Sequence, residues 1–276
     1  MSKILILDGY NLFYRARYSG MNRGEYSTIF NFFRSLRPLV EQFSPDRVYC
    51  VLEGRPKKRL EVLPEYKGQR EYHDKDNFSF QRNEIIRMLK AYFPIQVVKH
   101  RDFECDDVIA NLITKFQSEE DCEITVVSSD TDFIQIISES VGLYNPVKKS
   151  FVNKPDYDYV IWKALRGDAS DNISGFKGIG DKRAKSLMEN KDKLKKFITS
   201  SEENKEKFKL NSFLIKFHDF SESEMKQIRW YQIPPKNWDN LKKEFTNMSF
   251  NSIIGKEKSW EKFINTFSNL WSKSWF

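Results

Sequence analysis

Three short apolar runs each lead to an acid: Ile4-Leu5-Ile6-Leu7 to Asp8, Val48-Tyr49-Cys50-Val51-Leu52 to Glu53, and Ile124-Thr125-Val126-Val127, through two serines, to Asp130. Runs this short and rich in β-branched residues read as strands buried on both faces of a parallel sheet. Such sheets bind ligands beyond the carboxyl ends of their strands, so the three acids are expected to meet in one crevice. Carboxylates packed together repel unless protonated or bridged by cations, and hard divalent ions prefer oxygen ligands. The chemistry these residues predict is divalent-metal binding.

Six more acids stand in motifs able to reach the same crevice. Glu104-Cys105-Asp106-Asp107 opens a helical pattern, and residues three apart share a helix face, so Glu104 and Asp107 are expected to point together and Asp106 elsewhere. Acids in a first helical turn also have an ordinary use, because the helix dipole favours each by about 0.3–1 kcal/mol. Ser128-Ser129-Asp130-Thr131-Asp132 carries the third run into a turn, where Asp132 is either a site acid or the N-cap of a helix bearing Phe133, Ile134, Ile136 and Ile137. Gly167-Asp168-Ala169-Ser170-Asp171-Asn172 adds two acids ahead of Gly175-Phe176-Lys177-Gly178-Ile179-Gly180, and alone is only a polar turn. His73, His100 and His218 stand beside none of these motifs, which leaves histidine acid–base catalysis without support.

The elements that must position these groups alternate. After Asp8, residues Tyr10 to Tyr18 and Thr28 to Phe43 have helical spacing, with Phe30, Phe33, Leu36, Leu39 and Val40 on one side and Pro45 as the stop. The second strand follows. From Gly54 to Arg82 apolar periodicity is lost and Arg55, Lys57, Lys58, Arg59, Lys67, Arg70, Lys75 and Arg82 accumulate, so this segment is expected to project from the core. A helix over Asn83 to Tyr92, a strand over Ile95 to Val98 and a helix from Glu104 with Val108, Ile109, Leu112, Ile113 and Phe116 at core spacing come next. Val141 to Tyr144 and Ser150 to Val152 suit an edge hairpin around Asn145-Pro146. The predicted fold class is α/β, a doubly wound, mostly parallel sheet over residues 1–160 followed by a mainly α region over 161–276. In that region Ser200 to Lys209 reads as a solvated loop or frayed helix end, and Trp260, Phe263, Ile264, Phe267, Leu270 and Trp271 as a core stripe.

At 276 residues the chain can bury one large core or two moderate ones. Its 46 basic and 39 acidic residues give +7; setting the nine candidate site acids aside leaves 30 acids, so about +16 lies on the rest. A basic body around an acidic pocket suits a phosphodiester substrate. Cys50, Cys105 and Cys122 have neither CxxC spacing nor an even count, which argues against a disulfide framework or a zinc site and for a reducing, cytoplasmic setting. No apolar stretch approaches the roughly 20 residues needed to span a bilayer, and the first strand begins too early for a signal peptide. We expect a monomer with no membrane partner.

Taken in order, the motifs resemble those of the flap endonuclease and 5′-nuclease family. Asp8-Gly9-Tyr10-Asn11-Leu12 is similar to its opening motif, Glu104-Cys105-Asp106-Asp107 to its Glu-Ala-Asp-Asp, and Ser129-Asp130-Thr131-Asp132-Phe133 to its Asp-x-Asp turn. Gly167 through Gly180 resembles its closing Gly-Asp-x-x-Asp-Asn-Ile and Gly-Ile-Gly. Leu89 to Pro94, Val127 to Asp130, Asn145 to Val152 and Phe213 to Phe217 resemble segments of the T-even bacteriophage branch. Two departures stand out: Glu53 replaces an Asp, and Cys105 replaces an Ala, a change expected to serve packing.

The resemblance implies a PIN-like catalytic domain holding two Mg²⁺ ions, for which Mn²⁺ can substitute. It assigns Asp8, Glu53, Glu104, Asp106 and Asp130 to the first metal, and Asp107, Asp132, Asp168 and Asp171 to the second metal or its waters. The basic segment at about 54–82 becomes a gateway for single-stranded 5′ ends, with Arg59, Lys67 and Arg70 at family basic positions. Lys67 and Arg70 fall at the scissile phosphate and, with Asp130, form the catalytic set. Tyr66, Tyr72 and Phe78 either stack on splayed bases or pack the segment down. Residues 165–190 become a helix-turn-helix variant that grips duplex backbone through Gly178, Gly180, Lys182, Arg183 and Lys185, and whose turn in this family holds a K⁺ ion. The implied partners are DNA and RNA–DNA hybrid with 5′ ends or flaps, with Trp275-Phe276 suited to a single-strand-binding protein or a sliding clamp.

Two other classes fit part of the pattern. A PIN-type ribonuclease shares the acidic crevice but lacks the basic gateway and the duplex-gripping turn. A DNA-binding scaffold with decayed catalytic acids would have lost ligands, whereas every acid position here is filled, with Glu53 the one substitution.

Overall fold

The computed structural model describes residues 1–20, 24–70 and 77–271. Tyr72, His73 and Lys75 of the basic segment and the terminal Trp275-Phe276 lie outside the described residues.

The chain runs β1 (Ser2–Asp8), α1 (Gly9–Tyr18), α2 (Ser27–Phe43), β2 (Arg47–Leu52), α3 (Lys57–Val62), α4 (Phe78–Tyr92), β3 (Gln96–Lys99), α5 (Cys105–Glu119) and β4 (Cys122–Val127). A 3₁₀ turn (Thr131–Ile136), β5 (Val141–Asn145), β6 (Ser150–Phe151) and α6 (Tyr159–Arg166) follow. Then come β7 (Gly167–Asp168), β8 (Ile173–Ser174), α7 (Asp181–Met188), α8 (Lys191–Ile198), α9 (Glu202–Ile215), α10 (Glu222–Lys226), β9 (Arg229–Trp230), α11 (Trp238–Asn247), α12 (Asn251–Ile254) and α13 (Glu257–Trp271).

Seven strands form one sheet in the order β6-β5-β4-β1-β2-β3-β9, parallel at its centre and antiparallel at both edges. The mostly parallel doubly wound sheet and the edge hairpin are as expected. From β1 the chain steps outward through β2 to β3, then returns past β1 to β4, so the winding reverses between β1 and β4. That reversal opens a crevice beyond their carboxyl ends. Along β1, Leu5 and Leu7 enter the core that holds α1, α2 and α4, while Ile4 and Ile6 enter the core beneath α5. The strand is therefore apolar on both faces, which is why its sequence reads as a continuous run.

Four expectations are corrected or narrowed. Residue 160 is no domain boundary: β9 extends the sheet edge, and Trp260, Phe263, Phe267 and Leu270 of α13 join the core that contains Phe33 and Phe93. A stripe of large apolar side chains needs an apolar partner, and the sheet's α2/α4 face supplies it. Among the described residues, only α6 to α9 form a separate helical lobe, around Trp162, Leu165, Phe176, Ile179 and Ala184. Of the two readings of Ser200 to Lys209 the loop is excluded and the helix end holds: Ser201 caps α9 by accepting from the Asn204 N–H, and residues 202–209 open that helix. The segment bearing Phe133 is a short 3₁₀ turn capped by Asp130, not a helix capped by Asp132.

The fourth concerns the basic segment. Its described part folds back onto the body: Arg59 (2% exposed), Tyr66, Phe78 and Gln81 are buried, and Leu60, Leu63 and Tyr66 pack with Ala164, Ile173 and Leu214. Among the described residues, no helix is long and apolar enough to cross a membrane.

Candidate active site

Asp8 is the last residue of β1, Glu53 follows β2 directly, and Asp130 stands three residues beyond β4. Gly9 is needed beside Asp8, because a Cβ there would lie 2.7 Å from the Val51 carbonyl of the neighbouring strand. The first turn of α5 comes in from the same edge. A cleft of about 950 Å³ is lined by Asp8, Glu53, Glu104, Asp106, Asp130, Asp132, Asp168 and Asp171, with Lys67, Arg70 and Lys163. Eight of the nine acids singled out in the sequence thus share one cavity.

Asp107 is the exception. It faces away, fully buried, and both its oxygens accept from Arg59, while Oδ1 also accepts from the His218 N–H. Its ligand atoms lie within 4.8 Å of those of Glu104 and Asp106, yet with its oxygens engaged it serves as a counter-ion. Glu104 and Asp107 do share a helix face, as expected, and that face meets Arg59; Asp106 turns into the cleft. Arg59 is corrected for the same reason. Two carboxylates and two carbonyls surround it, so it offers nothing to a phosphate.

The remaining acids differ in their partners. Asp8 accepts from Ser128 Oγ at 2.8 Å and from the Asn11 N–H at 3.1 Å, and burial nonetheless raises its pKa. Burial and the charge of Glu104 push the Glu53 carboxyl up to about 8. Asp106 is raised well above the usual range by burial, Asp107 and Glu104. Among the described residues no lysine or arginine forms a salt bridge with Asp8, Glu53, Asp106 or Asp130. These are carboxylates short of positive charge, the donor set that divalent cations satisfy. Cys105 is buried with its thiol toward the Val51 carbonyl at 3.3 Å and Asp8 at 3.6 Å, so it packs and also touches a site acid.

The other acids already have cations. Lys67 bonds Glu104 and approaches Asp171 at 3.7 Å, and Arg70 bonds Asp171. Glu104 is held below its usual range: burial opposes this, but Lys67 and Arg59 prevail. Lys67 adopts φ 56°, a left-handed conformation costly for a side chain with a Cβ, and is held there by its N–H on the Asp171 carbonyl at 3.1 Å. Lys163 bridges Asp132 and Asp168, the latter at 2.5 Å. Asp168 titrates at about 2, because Lys163 and Ser170 outweigh its burial. Asp132 remains raised by burial and by Asp130 despite Lys163. Ligand atoms of Asp132, Asp168 and Asp171 lie within 4.8 Å of one another, and Asp107 is not among them.

Several functional side chains were not foreseen. Lys163 is a lone cation in the otherwise apolar run Tyr159-Val160-Ile161-Trp162-Lys163-Ala164-Leu165, a usable signal. Ser128 and Asn11 lie inside the quoted motifs; Asn11 Oδ1 accepts from the Ser129 N–H and hydroxyl, tying the first motif to the third.

Beside the cleft, Gly178 turns the chain at φ 74°, and Gly180, with open space where a Cβ would stand, precedes α7 without a side-chain cap. Lys182 and Arg183 are exposed there; Lys185 bonds Asp181 at 3.3 Å.

Residues 3–163 match the family model described as the 5′-3′ exonuclease N-terminal resolvase-like domain. The chain belongs to that family, the 5′ nucleases and flap endonucleases. It is 30% identical to a 5′-3′ exonuclease of Mycoplasmopsis pulmonis over 214 residues, 72% of this chain and 70% of that protein. It is also 30% identical to DNA polymerase I of Caldicellulosiruptor bescii over 209 residues, 68% of this chain but only 24% of the polymerase. Its fold is similar to that of the bacteriophage T5 flap endonuclease in a pseudo-enzyme–product complex with DNA and metal ions. That likeness has a TM-score of 0.65 at 18% identity and covers 97% of this chain and 99% of the other.

Proposed function

We propose that the protein is a divalent-metal-dependent 5′ nuclease that hydrolyses phosphodiesters near the 5′ ends of DNA or RNA in duplex, flap or primed structures during replication, including RNase H-type primer removal. The observation that carries this reading is the convergence of Asp8, Glu53, Asp106 and Asp130 on one cleft without a bonded side-chain cation. Those residues would hold the first metal, with Asp132, Asp168 and Asp171 at the second. Two Mg²⁺ ions are the proposed cofactors, with Mn²⁺ as a substitute, because carboxylates with retained waters suit them. Bound there, the ions supply Lewis acidity at the phosphate and a nucleophilic water at neutral pH.

The chain's own residues bind and orient. Lys67 and Arg70, already inside the cleft, are placed to exchange their carboxylate partners for the scissile phosphate as it enters. Gly178, Gly180, Lys182, Arg183 and Lys185 grip duplex backbone beside it, where a following helix N-terminus favours anions, and a K⁺ ion at that turn is part of the proposal. Partners are DNA and RNA–DNA hybrid, and a replication protein such as a single-strand-binding protein or sliding clamp; a cytoplasmic monomer remains our reading. The basic segment and helical lobe weigh against a plain PIN-type ribonuclease.

The test is a 5′-labelled flap and a primed RNA–DNA duplex, each incubated with Mg²⁺ and with chelator. Cleavage is expected only with metal, and product that persists in chelator rejects the reading.

A further inference from the structure

Arg59 was expected to meet nucleic acid, yet it is among the most buried side chains of the molecule, 2% exposed. A guanidinium has five N–H donors, and all five are used. Nε donates to the Leu214 carbonyl at 2.8 Å. Nη1 donates to Glu104 Oε2 at 2.8 Å and Asp107 Oδ2 at 2.5 Å. Nη2 donates to Asp107 Oδ1 at 2.9 Å and the Lys216 carbonyl at 3.1 Å. One planar group therefore touches α3, the first turn of α5 and the end of α9.

The same junction is reinforced from α5. The Asp107 carboxylate accepts from the His218 N–H at 2.9 Å, and Asn111 donates to the His218 carbonyl at 2.7 Å and accepts from the Phe220 N–H at 2.8 Å. Residues 214–220, where the chain leaves the helical lobe, are thus held against the helix that carries Glu104 and Asp106. Glu104 Oε2 is fixed by Arg59 and, at 3.1 Å, by the Tyr66 hydroxyl, which leaves Oε1 toward Lys67 and the cleft.

We propose that Arg59 is a positioning residue: it sets the α5 acids in register with the helical lobe and makes no contact with substrate. This rests on the nuclease reading. A lysine at the position keeps the charge but cannot satisfy two carboxylates and two carbonyls from one point. Groups that orient metal-site carboxylates typically cost 10–100-fold in metal affinity or activity when changed.

Arg59→Lys is compared with wild type in three measurements. Single-turnover cleavage at saturating flap DNA is expected to fall about 10–100-fold, while DNA affinity in Ca²⁺ and its salt dependence stay unchanged. Mg²⁺ affinity by calorimetry, without DNA, is expected to fall within the same range. Amide exchange of residues 214–218 is expected to quicken at least about tenfold, reporting the lost junction. Unchanged exchange overturns the proposal; so does an unchanged saturated rate with a salt slope lowered by about 0.9, the mark of a lost phosphate contact.

If Arg59→Lys does not fold, the pair Arg59→Met with Asp107→Leu removes the buried Arg59–Asp107 ion pair together and leaves Glu104 paired with Lys67, a replacement proteins often tolerate. A folded double variant with wild-type saturated rate also overturns the proposal. Should wild type fail to cleave under any divalent ion, the nuclease reading falls, and the exchange measurement still decides the role of Arg59.

Discussion

In one set of cleft acids, Asp8, Glu53, Asp106 and Asp130, no lysine or arginine among the described residues is bonded to a carboxylate; in the other, Lys67, Arg70 and Lys163 sit on Glu104, Asp171, Asp132 and Asp168. Both sets are aspartates and glutamates in family motifs. Burial and neighbours together decide the titration: burial and Glu104 push Glu53 up to about 8, Lys163 and Ser170 hold Asp168 at about 2, and Asp132 stays raised by burial and Asp130 despite Lys163. Among the described residues the first set has no bonded lysine or arginine, whereas the second reaches one at each acid. Acid type and motif thus establish which residues meet, while cation placement separates the acids that lack a bonded cation from those that hold one.

The hardest test of that division compares Asp8→Asn with Asp168→Asn. Asp8→Asn is expected to slow single-turnover cleavage about 10³-fold, some 4 kcal/mol of barrier, and Asp168→Asn only about tenfold. Equal losses would erase the distinction. Next in size, Lys67→Ala is expected to slow the saturated rate about 10²-fold, the usual scale for a positioned electrostatic group, while duplex binding barely changes. Weaker binding at an unchanged rate would make Lys67 a backbone contact.

Glu53 and Asp168 also predict opposite responses to pH. Glu53, with its folded pKa raised from 4.5 to about 8, adds stability that is complete below pH 4.5 and lost as pH rises through 8. Asp168, depressed from 3.8 to about 2, adds stability present above pH 3.8 and lost as pH falls toward 2. In chelator, the melting temperature is therefore expected to decline by a few degrees between pH 5 and 8. Mg²⁺ restores it by binding the folded state, and Glu53→Gln flattens the decline; a Glu53→Gln profile as steep as wild type rules out the assignment. The smallest effect lies outside the cleft. Lys182→Ala should weaken duplex binding a few-fold and flatten its salt dependence by about 0.9, and an unchanged slope places the duplex elsewhere.

Much of this site was legible before folding. Apolar runs that end on Asp8, Glu53 and Asp130 specify strand ends, and strand ends in a doubly wound sheet specify a crevice. The 159–188 segment was legible in kind, through Asp168, Asp171 and the Gly178 turn. Arg59 and Asp107 were misassigned because a charged side chain in a basic or acidic run carries no mark of burial; only the five acceptors around Arg59 reveal it. Lys163 was overlooked because its partners lie in a preceding turn and a following one, joined only when α6 packs. The division at residue 160 failed for a similar reason: α13 reads as a self-contained amphipathic helix, and nothing local says that its partner is the face formed by Phe33 and Phe93.

The sequence by itself determined the strands from β1 to β6, the family and the acids at stake, because hydrophobic period and short motifs are local properties; the two-residue strands after residue 160 carried no such signal. Tertiary structure alone decided which acids are neutralised by Lys67, Arg70 and Lys163, which arginine is buried, and where the C-terminal helices dock. Those outcomes depend on distances between residues far apart in the chain, and ion pairing and burial act through distance rather than through sequence order.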